Sequence, residues 1–287
     1  MLFHVIHATR YSYESPVSHS LNEIRLTPRA LAAQEVRRND IRVEPEPAFM
    51  YARKDYYGND VNSFELLEKH DRLHITAESI VNVGSPSLER QSTISWKDAQ
   101  TAIVSQTDDA SIEASEFIYN SPHVSVTPQL AEYAAPSFVA GKSLIEALED
   151  LTHRIHQDFK YKPQSTSIST PLTEVMRHRR GVCQDFAHVM IGAVRSQRLA
   201  ARYISGYVRP GPKVQGAQAS HAWVSVFFPG SGWMGFDPTN DLIVEDNHIS
   251  LAWGRDYGDV TPVKGISLGG GSQTVEVEVY VQPLEDA

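Results

Sequence analysis

The feature that constrains the fold most is a change in the hydrophobic period along the chain. Residues 3–11 and 73–83 alternate in steps of two, with the turn-like Gly58-Asn59-Asp60 between them. From about residue 127 to 198 the apolar spacing is helical, and from residue 202 onward the period is two again. The pattern therefore predicts an α+β protein in which helices pack on an antiparallel sheet.

The first third is typical of β structure, because Pro, Gly and Asn interrupt its alternating runs and no helix is predicted before residue 127. We expect a β-sandwich-like N-terminal domain over residues 1–120 and a second, catalytic domain over residues 121–287. The boundary falls between 85 and 125, since Gly84-Ser85-Pro86 and the polar stretch ending at Ser121-Pro122 both fit a linker.

Cap residues predict where the helices begin. Thr127-Pro128 and Thr170-Pro171 each combine a cap residue with proline, and Ser143 to Glu146 matches a capping box. Residues 183–198 carry apolar side chains at helical spacing and should form a buried helix. Strands are predicted at 202–208, 221–228, 233–237 and 275–281, with a hairpin turn at 229–232.

Composition limits the function classes. The 287 residues are 41% hydrophobic and 21% charged, as in globular proteins. A formal charge of −9 argues against nucleic acid as the main partner. No apolar run reaches the roughly 20 residues that cross a bilayer, so no membrane partner is expected. The start carries no signal-like segment and one cysteine excludes an internal disulfide framework, so we expect a cytoplasmic, reducing location.

Cys183 is the first candidate for chemistry, although a lone cysteine is more often a small buried residue. It follows Arg180-Gly181-Val182 and should begin a helix. A thiol at a helix N-terminus faces free backbone N–H groups and the positive end of the dipole, which favours the thiolate. This position therefore suits a nucleophile.

His221 and Asp237 would supply the base and its orienting carboxylate. Residues directly opposite each other in an antiparallel pair of strands lie on the same face of the sheet. If the residue numbers of opposed residues add up to an even number, His221 and Asp237 therefore lie on the same face. A five-residue loop from 228 to 232 would set Trp223 opposite Asp237, with His221 one diagonal step away. A four-residue loop would separate His221 and Asp237 onto opposite faces.

Three segments in this order resemble motifs of the transglutaminase-like superfamily: residues 181–187 (GVCQDFA), 220–224 (SHAWV) and 232–239 (GWMGFDPT). Residues 21–28 (LNEIRLTP) look like the β domain that precedes this core in many bacterial members. The resemblance implies a papain-like α/β core with a Cys-His-Asp triad that works through a thioester. Carried over by position, Cys183 is the nucleophile, His221 the general base and then acid, and Asp237 the orienting carboxylate.

The resemblance also implies an oxyanion stabiliser made from the backbone N–H of the cysteine and a side chain upstream. Tyr161 is our candidate for that side chain, although the animal crosslinking enzymes use a tryptophan there, and Gln184 is another possible donor. A loop at 254–260 resembles one found in bacterial relatives. Its Arg255, Asp256 and Tyr257 fit either the rim of a polar substrate pocket or an ordinary structured turn.

Two further features have competing interpretations. Trp223 and Trp233 either wall the cleft or simply pack on the hairpin. The 12 histidines invite a metal hypothesis, but there is no HExxH motif, and His153 and His156 lie three apart without a completing carboxylate pattern. We expect neither a metal nor a cofactor.

The sequence predicts a thiol-dependent amide or peptide hydrolase of the thiol-protease kind, with a peptide or protein substrate. A protein-glutamine transglutaminase, in which an amine resolves the thioester, shares the first half-reaction and stays open. A non-catalytic peptide-binding protein on the same fold is the alternative outside the enzyme class. The oligomeric state is left open.

Overall fold

The computed structural model of the protein describes residues 1–84, 93–106 and 108–284. The N-terminal part holds five strands: β1 Leu2–Ile24, β2 Gln34–Glu44, β3 Phe49–Lys54, β4 Asp60–Leu66 and β5 His70–Val83. A mainly helical part follows: α1 Trp96–Ser105, α2 Asp109–Ser115, a 3-10 turn Glu116–Ile118, α3 Pro128–Ala134, α4 Leu144–Asp158, β6 Lys160–Tyr161, α5 Leu172–His178, β7 Arg180–Gly181 and α6 Cys183–Ser196.

The rest is mostly strand: β8 Ala201–Val208, β9 His221–Phe228, β10 Gly232–Asp237, β11 Leu242–Ile243, β12 His248–Gly254, a 3-10 turn Tyr257–Asp259, β13 Val263–Gly269 and β14 Gln273–Leu284. The predicted strands at 202–208, 221–228, 233–237 and 275–281 are all present, within a few residues at their ends. The α+β class predicted from the change of period is therefore confirmed.

The N-terminal sheet is built around the long strand β1. Its first half pairs with β5 on one side and β14 on the other, and its second half pairs with β4 and β13. The register shifts between Ser12 and Val17, where the strand passes from one half to the other. One buried cluster contains residues of both halves, with Ile24 and Phe64 against Leu73 and Ile75. The two halves therefore face each other across a core, as the sandwich-like prediction required.

The last two strands return to this N-terminal sheet. Residues 2–13 of β1 pair with β14 in one continuous register, from Leu2 with Leu284 to Tyr13 with Gln273. We predicted that residues 263–284 belong to the second domain, whereas their strand pairing joins them to β1 of the first. Of the linker candidate at residues 84–86, Ser85 and Pro86 lie outside the described residues.

The prediction of no helix before residue 127 is wrong. α1 begins after Ser95, whose side chain accepts from the backbone N–H of Asp98, and it buries Trp96, Ala99 and Ile103. Those three apolar residues have helical spacing but stand in a polar stretch that hides the pattern. Trp96 and Ile103 belong to the same buried cluster as the later helices, so the core of the second part begins near residue 96.

The second sheet has the strand order β11-β10-β9-β8-β12. α6 packs against β9 and β8, and Ala222, Val224 and Val226 of β9 share a buried cluster with Phe186 and Met190 of α6. The capping box predicted at Ser143 and Glu146 is present at the start of α4. In the part of the chain that the structure describes, no helix is long and apolar enough to span a membrane.

Candidate active site

Cys183 is the first residue of α6, as the sequence predicted. The turn before it is tightly built, because the Asp185 carboxylate reaches back to accept from the backbone N–H of Val182 at 2.8 Å and from the Thr166 hydroxyl at 2.7 Å. A Cβ on Gly181 would stand 2.4 Å from Oδ2 of Asp185. Glycine at 181 therefore lets Asp185 hold the helix tip that presents the thiol.

Three tyrosines lie close enough to Cys183 to sense its charge. Burial, and then the charge of Cys183, raise the pKa of Tyr161 to about 12, and they also raise the pKa values of Tyr203 and Tyr257. The side chain of Cys183 is mostly covered, with 9% of the residue exposed. Cys183 is therefore a mostly buried residue at a helix tip, near three tyrosines.

His221 and Asp237 form a buried hydrogen-bonded pair. Nε2 of His221 lies 2.7 Å from Oδ2 of Asp237, and neither side chain has any exposed surface. The hairpin register explains this contact: Gly232 pairs with Phe228 and Phe236 with Val224, so the paired numbers sum to 460. This even sum corresponds to the five-residue loop. The predicted register, which places His221 and Asp237 on the same face, is therefore confirmed.

The Asp237 carboxylate accepts from several donors besides His221. Oδ1 accepts from the backbone N–H groups of Thr239 and Asn240 at 2.9 and 3.2 Å. Oδ2 accepts from the Asn240 side-chain amide at 2.7 Å and from Nε2 of His248 at 3.1 Å. Because an ionised carboxylate only accepts, both imidazoles must donate Nε2–H, which leaves the lone pair of neutral His221 on Nδ1.

Electrostatics favour a charged pair. Burial raises the pKa of the Asp237 carboxyl, but the charge and hydrogen bond of His221, followed by those of His248, outweigh it and hold that pKa far below its usual range. Burial lowers the pKa of His221, but Asp237, and to a smaller extent Cys183, outweigh it and raise that pKa to about 10. The imidazolium form is therefore strongly stabilised.

Nδ1 is the free nitrogen of His221, since it has no hydrogen-bond partner among the described residues. After Asp237, Cys183 also helps to raise the pKa of His221, so the thiol lies near this imidazole. Gly216 covers the same nitrogen, since a Cβ at this position would stand 2.6 Å from it.

Sequence reasoning missed His248, Asn240 and Gly216. Asn240 had a signal, because a side chain three residues after Asp237 can turn back onto it. His248 had none, because it reaches Asp237 only through the placement of β12 at the far edge of the sheet. His221, Asp237 and His248 offer ligand atoms within 4.8 Å of one another. Nε2 of each imidazole lies within hydrogen-bond distance of the same Asp237 oxygen, at 2.7 and 3.1 Å, whereas ligands about 2.0 Å from one tetrahedral zinc ion lie about 3.3 Å from each other.

The proposed oxyanion residues lie at the helix tip. Tyr161 is half-buried and pairs with Gly181 in the short parallel ladder of β6 and β7. Gln184 is the second residue of α6 and partly exposed. Backbone N–H groups in a first helical turn have no acceptor within the helix, so this tip presents donors on the side of the thiol.

Trp223 is buried behind the histidine rather than exposed in a cleft. Its ring centroid lies 6.2 Å from that of His221, with the two ring planes at 28°, and it meets the His248 ring edge-on at 5.0 Å. Trp223 and Trp233 line a cavity of about 740 Å³. Cys183, His221 and Asp237 are not among the residues that line this cavity. The packing interpretation accounts for both tryptophans.

The loop at 254–260 is held by its own contacts. Asp256 is fully buried and accepts from the backbone N–H groups of His123 and Gly258, and Arg255 pairs with Asp259 through two hydrogen bonds of 2.9 and 3.0 Å. Only Tyr257 of the three predicted residues approaches Cys183. Arg255 and Asp256 thus have partners within the loop and its surroundings.

Helix α4 supports the segment that follows Asp237. Nδ1 of His156 lies 2.9 Å from the carbonyl oxygen of Thr239, and Nδ1 of His153 lies 2.7 Å from Oδ2 of Asp241. The two histidines that raised a metal hypothesis therefore make separate contacts with one loop. That loop carries the backbone donors to Asp237.

Fold and site together define a class of α+β proteins in which a helix that begins at a cysteine packs on an antiparallel sheet that carries a buried His–Asp pair. Residues 132–238 match the transglutaminase-like superfamily, and residues 3–82 match the bacterial transglutaminase-like N-terminal region. The chain belongs to the transglutaminase-like superfamily, as the three motifs indicated.

Relatives extend the match over nearly the whole chain. The uncharacterized protein Rv2569c of Mycobacterium tuberculosis is 37% identical over 297 residues, which cover 99% of this chain and 93% of the relative. ML0607 of Mycobacterium leprae, also uncharacterized, is 35% identical over 290 residues, with 98% of each chain covered. A solved structure of a "putative cysteine protease" from Cytophaga hutchinsonii is similar with a TM-score of 0.80 and 20% identity, covering 100% of this chain and 92% of that one. That structure supports the fold alone.

Proposed function

We propose that the protein is a thiol-dependent amide hydrolase with Cys183 as nucleophile, His221 as general base and acid, and Asp237 as the carboxylate that orients the imidazole. The observation that carries this proposal is the pair His221–Asp237, buried and joined at 2.7 Å, with the other imidazole nitrogen free and Cys183 near enough to help raise the pKa of His221. It is the arrangement that nucleophile activation requires.

The reaction would proceed in two acyl transfers. The Cys183 proton moves to Nδ1 of His221, and the sulfur attacks the carbonyl carbon of the amide. Nδ1–H then protonates the departing amine, the C–N bond breaks, and a thioester remains. Water, losing a proton to Nδ1, attacks the thioester and releases the acid and the thiol. The backbone N–H groups at the tip of α6, aided by Tyr161, would stabilise each tetrahedral oxyanion.

A cavity beside these residues supports a peptide substrate. It has a volume of about 720 Å³ and is lined by Tyr161, by Gly216 and its neighbours in the loop 210–219, and by Val279 to Gln282 of β14. Tyr161 is one of the three tyrosines whose pKa Cys183 raises, and Gly216 is the residue against Nδ1 of His221. None of the lining residues carries a full charge, so we propose an uncharged segment of polypeptide as the substrate.

A cytoplasmic location is part of the proposal, because a thiol nucleophile must stay reduced to act.

Transamidation shares its first half-reaction with hydrolysis, and one experiment distinguishes the two reactions. Peptide mixtures are incubated with the enzyme, with and without a primary amine, and analysed by mass spectrometry. Hydrolysis predicts cleaved or deamidated products in both samples, whereas a transglutaminase predicts incorporation of the amine.

The control variants test the site directly. Cys183→Ser should lower turnover by several orders of magnitude, since the hydroxyl is a far weaker nucleophile. His221→Ala should slow iodoacetamide labelling of Cys183 at pH 6, because an ordinary thiol ionises only near pH 8.5. Equal labelling of wild type and His221→Ala, together with unchanged peptide mixtures, would refute the enzyme and favour a peptide-binding protein.

A further inference from the structure

The Asp237 carboxylate lies between two buried imidazoles. Its Oδ2 receives Nε2 of His221 at 2.7 Å from one side and Nε2 of His248 at 3.1 Å from the other. The two rings lie 6.0 Å apart at 45° to each other. The reaction proposed above uses only one of these imidazoles.

His248 is not held there by any other polar contact of its side chain. It is 3% exposed, and its Nδ1 has no hydrogen-bond partner among the described residues. Burying a polar nitrogen without a partner is destabilising, and an aromatic ring of similar size would fill the space against Trp223 without that cost. The bond to Asp237 is the one polar interaction that accounts for a histidine at this position.

We infer that His248 is a positioning residue for the reaction. With Asn240 it completes three donors on Oδ2, while two backbone N–H groups hold Oδ1. A carboxylate so surrounded cannot rotate away from His221, and it remains ionised. The ionised state requires His221 to carry its proton on Nε2, and so keeps Nδ1 free to accept the proton of Cys183.

The proposal rests on the proposed function, because the role of His248 is exerted through His221 and Cys183. It differs from a packing role in one testable way. Phenylalanine at position 248 keeps the ring and loses the donor, whereas glutamine keeps an N–H near the place of Nε2 and loses the ring. Positioning predicts that Gln rescues and Phe does not, and packing predicts the reverse.

The experiment uses Cys183, the single cysteine among the 287 residues. Iodoacetamide labelling of Cys183 is measured by mass spectrometry at pH 6 and pH 10 for wild type, His221→Ala, His248→Phe and His248→Gln. His4→Phe is the matched control, since His4 makes a similar Nε2 contact of 2.8 Å with Glu78 in the N-terminal sheet. Circular dichroism checks that each variant is folded.

We expect His248→Phe to label about tenfold more slowly than wild type at pH 6, the effect of losing one hydrogen bond to a charged group. At pH 10, where a thiol ionises without help, it should label at the wild-type rate. His248→Gln and His4→Phe should stay within about twofold of wild type at both pH values.

The outcomes separate this inference from the proposed function. If wild type labels no faster than His221→Ala at pH 6, both are refuted. If wild type is faster but His248→Phe matches it, only the role of His248 is refuted. Should the Phe variant not fold, nitrogen-15 NMR of the wild type decides: a proton on Nε2 of His248 supports the inference, and a bare Nε2 overturns it.

Discussion

Replacing Asp237 by asparagine tests the central pair with little change in shape. The amide must place its oxygen and its NH₂ where two carboxylate oxygens now lie. The oxygen will stay with the backbone N–H groups of Thr239 and Asn240, which leaves NH₂ facing the imidazole of His221. Two donors cannot bond, so His221 takes the other tautomer, with its proton on Nδ1 and no lone pair towards Cys183.

The size of the effect follows from the pKa of His221. Its rise from 6.5 to about 10 corresponds to about 5 kcal/mol in favour of the imidazolium, at about 1.4 kcal/mol per pH unit. Most of this preference should be lost with the charge of Asp237. An unassisted thiol is only about 0.3% ionised at pH 6, so labelling of Cys183 should fall by between about tenfold and about 300-fold.

The assay is the rate of iodoacetamide labelling between pH 5 and pH 10, followed by the mass of the intact protein. Asp241→Asn is the control, because it makes the same change four residues along, at a partly exposed carboxylate 2.7 Å from His153. It should label like wild type. If Asp237→Asn also labels like wild type at pH 6, the pair does not activate the thiol and the reasoning fails.

Two further predictions concern the surroundings of His221. Gly216→Ala puts a Cβ 2.6 Å from Nδ1 of His221, at φ +81°, and should slow the labelling of Cys183 at pH 6. Gly141→Ala is the control, because it has a similar φ of +86° but nothing within 4 Å, and it should label like wild type. Equal labelling rates for the two variants would show that Gly216 is not part of the site. Because the pKa of His221 is raised, its contribution to stability is complete below about pH 6.5 and is lost as pH rises to about 10. Urea unfolding at pH 6.5 and pH 10 should show a smaller decrease for Asp237→Asn than for wild type, and identical decreases would contradict the assigned cause.

The placement of Cys183 at a helix tip, and of His221 and Asp237 on one face of a hairpin, could be predicted because each depends on local pattern. A glycine before Cys183 and apolar spacing after it are enough to place a helix tip, and one turn sets the hairpin parity. Each of these rests on a few neighbouring residues. Local rules of this kind therefore placed Cys183, His221 and Asp237 where the structure has them.

What the sequence did not predict depends on contacts between distant segments. His248 reaches Asp237 because β12 pairs with β8, far from it in the chain, and Gly216 reaches His221 through a loop without regular structure. The pairing of β13 and β14 with β1 likewise has no local signal, since an alternating strand suits either sheet. The hydrophobic period and the cap residues specify helices and strands, but they do not specify which strands pair with each other.

The closure of the N-terminal sheet by β14 has a consequence for the order of folding. β1 and β14 are far apart in sequence, yet they pair in one register from Leu2 with Leu284 to Tyr13 with Gln273. The same strand supplies Val279 to Gln282 to the wall of a cavity that Tyr161 and Gly216 also line. Because contacts between distant segments form only after a long loop has closed, this wall should be completed late in folding.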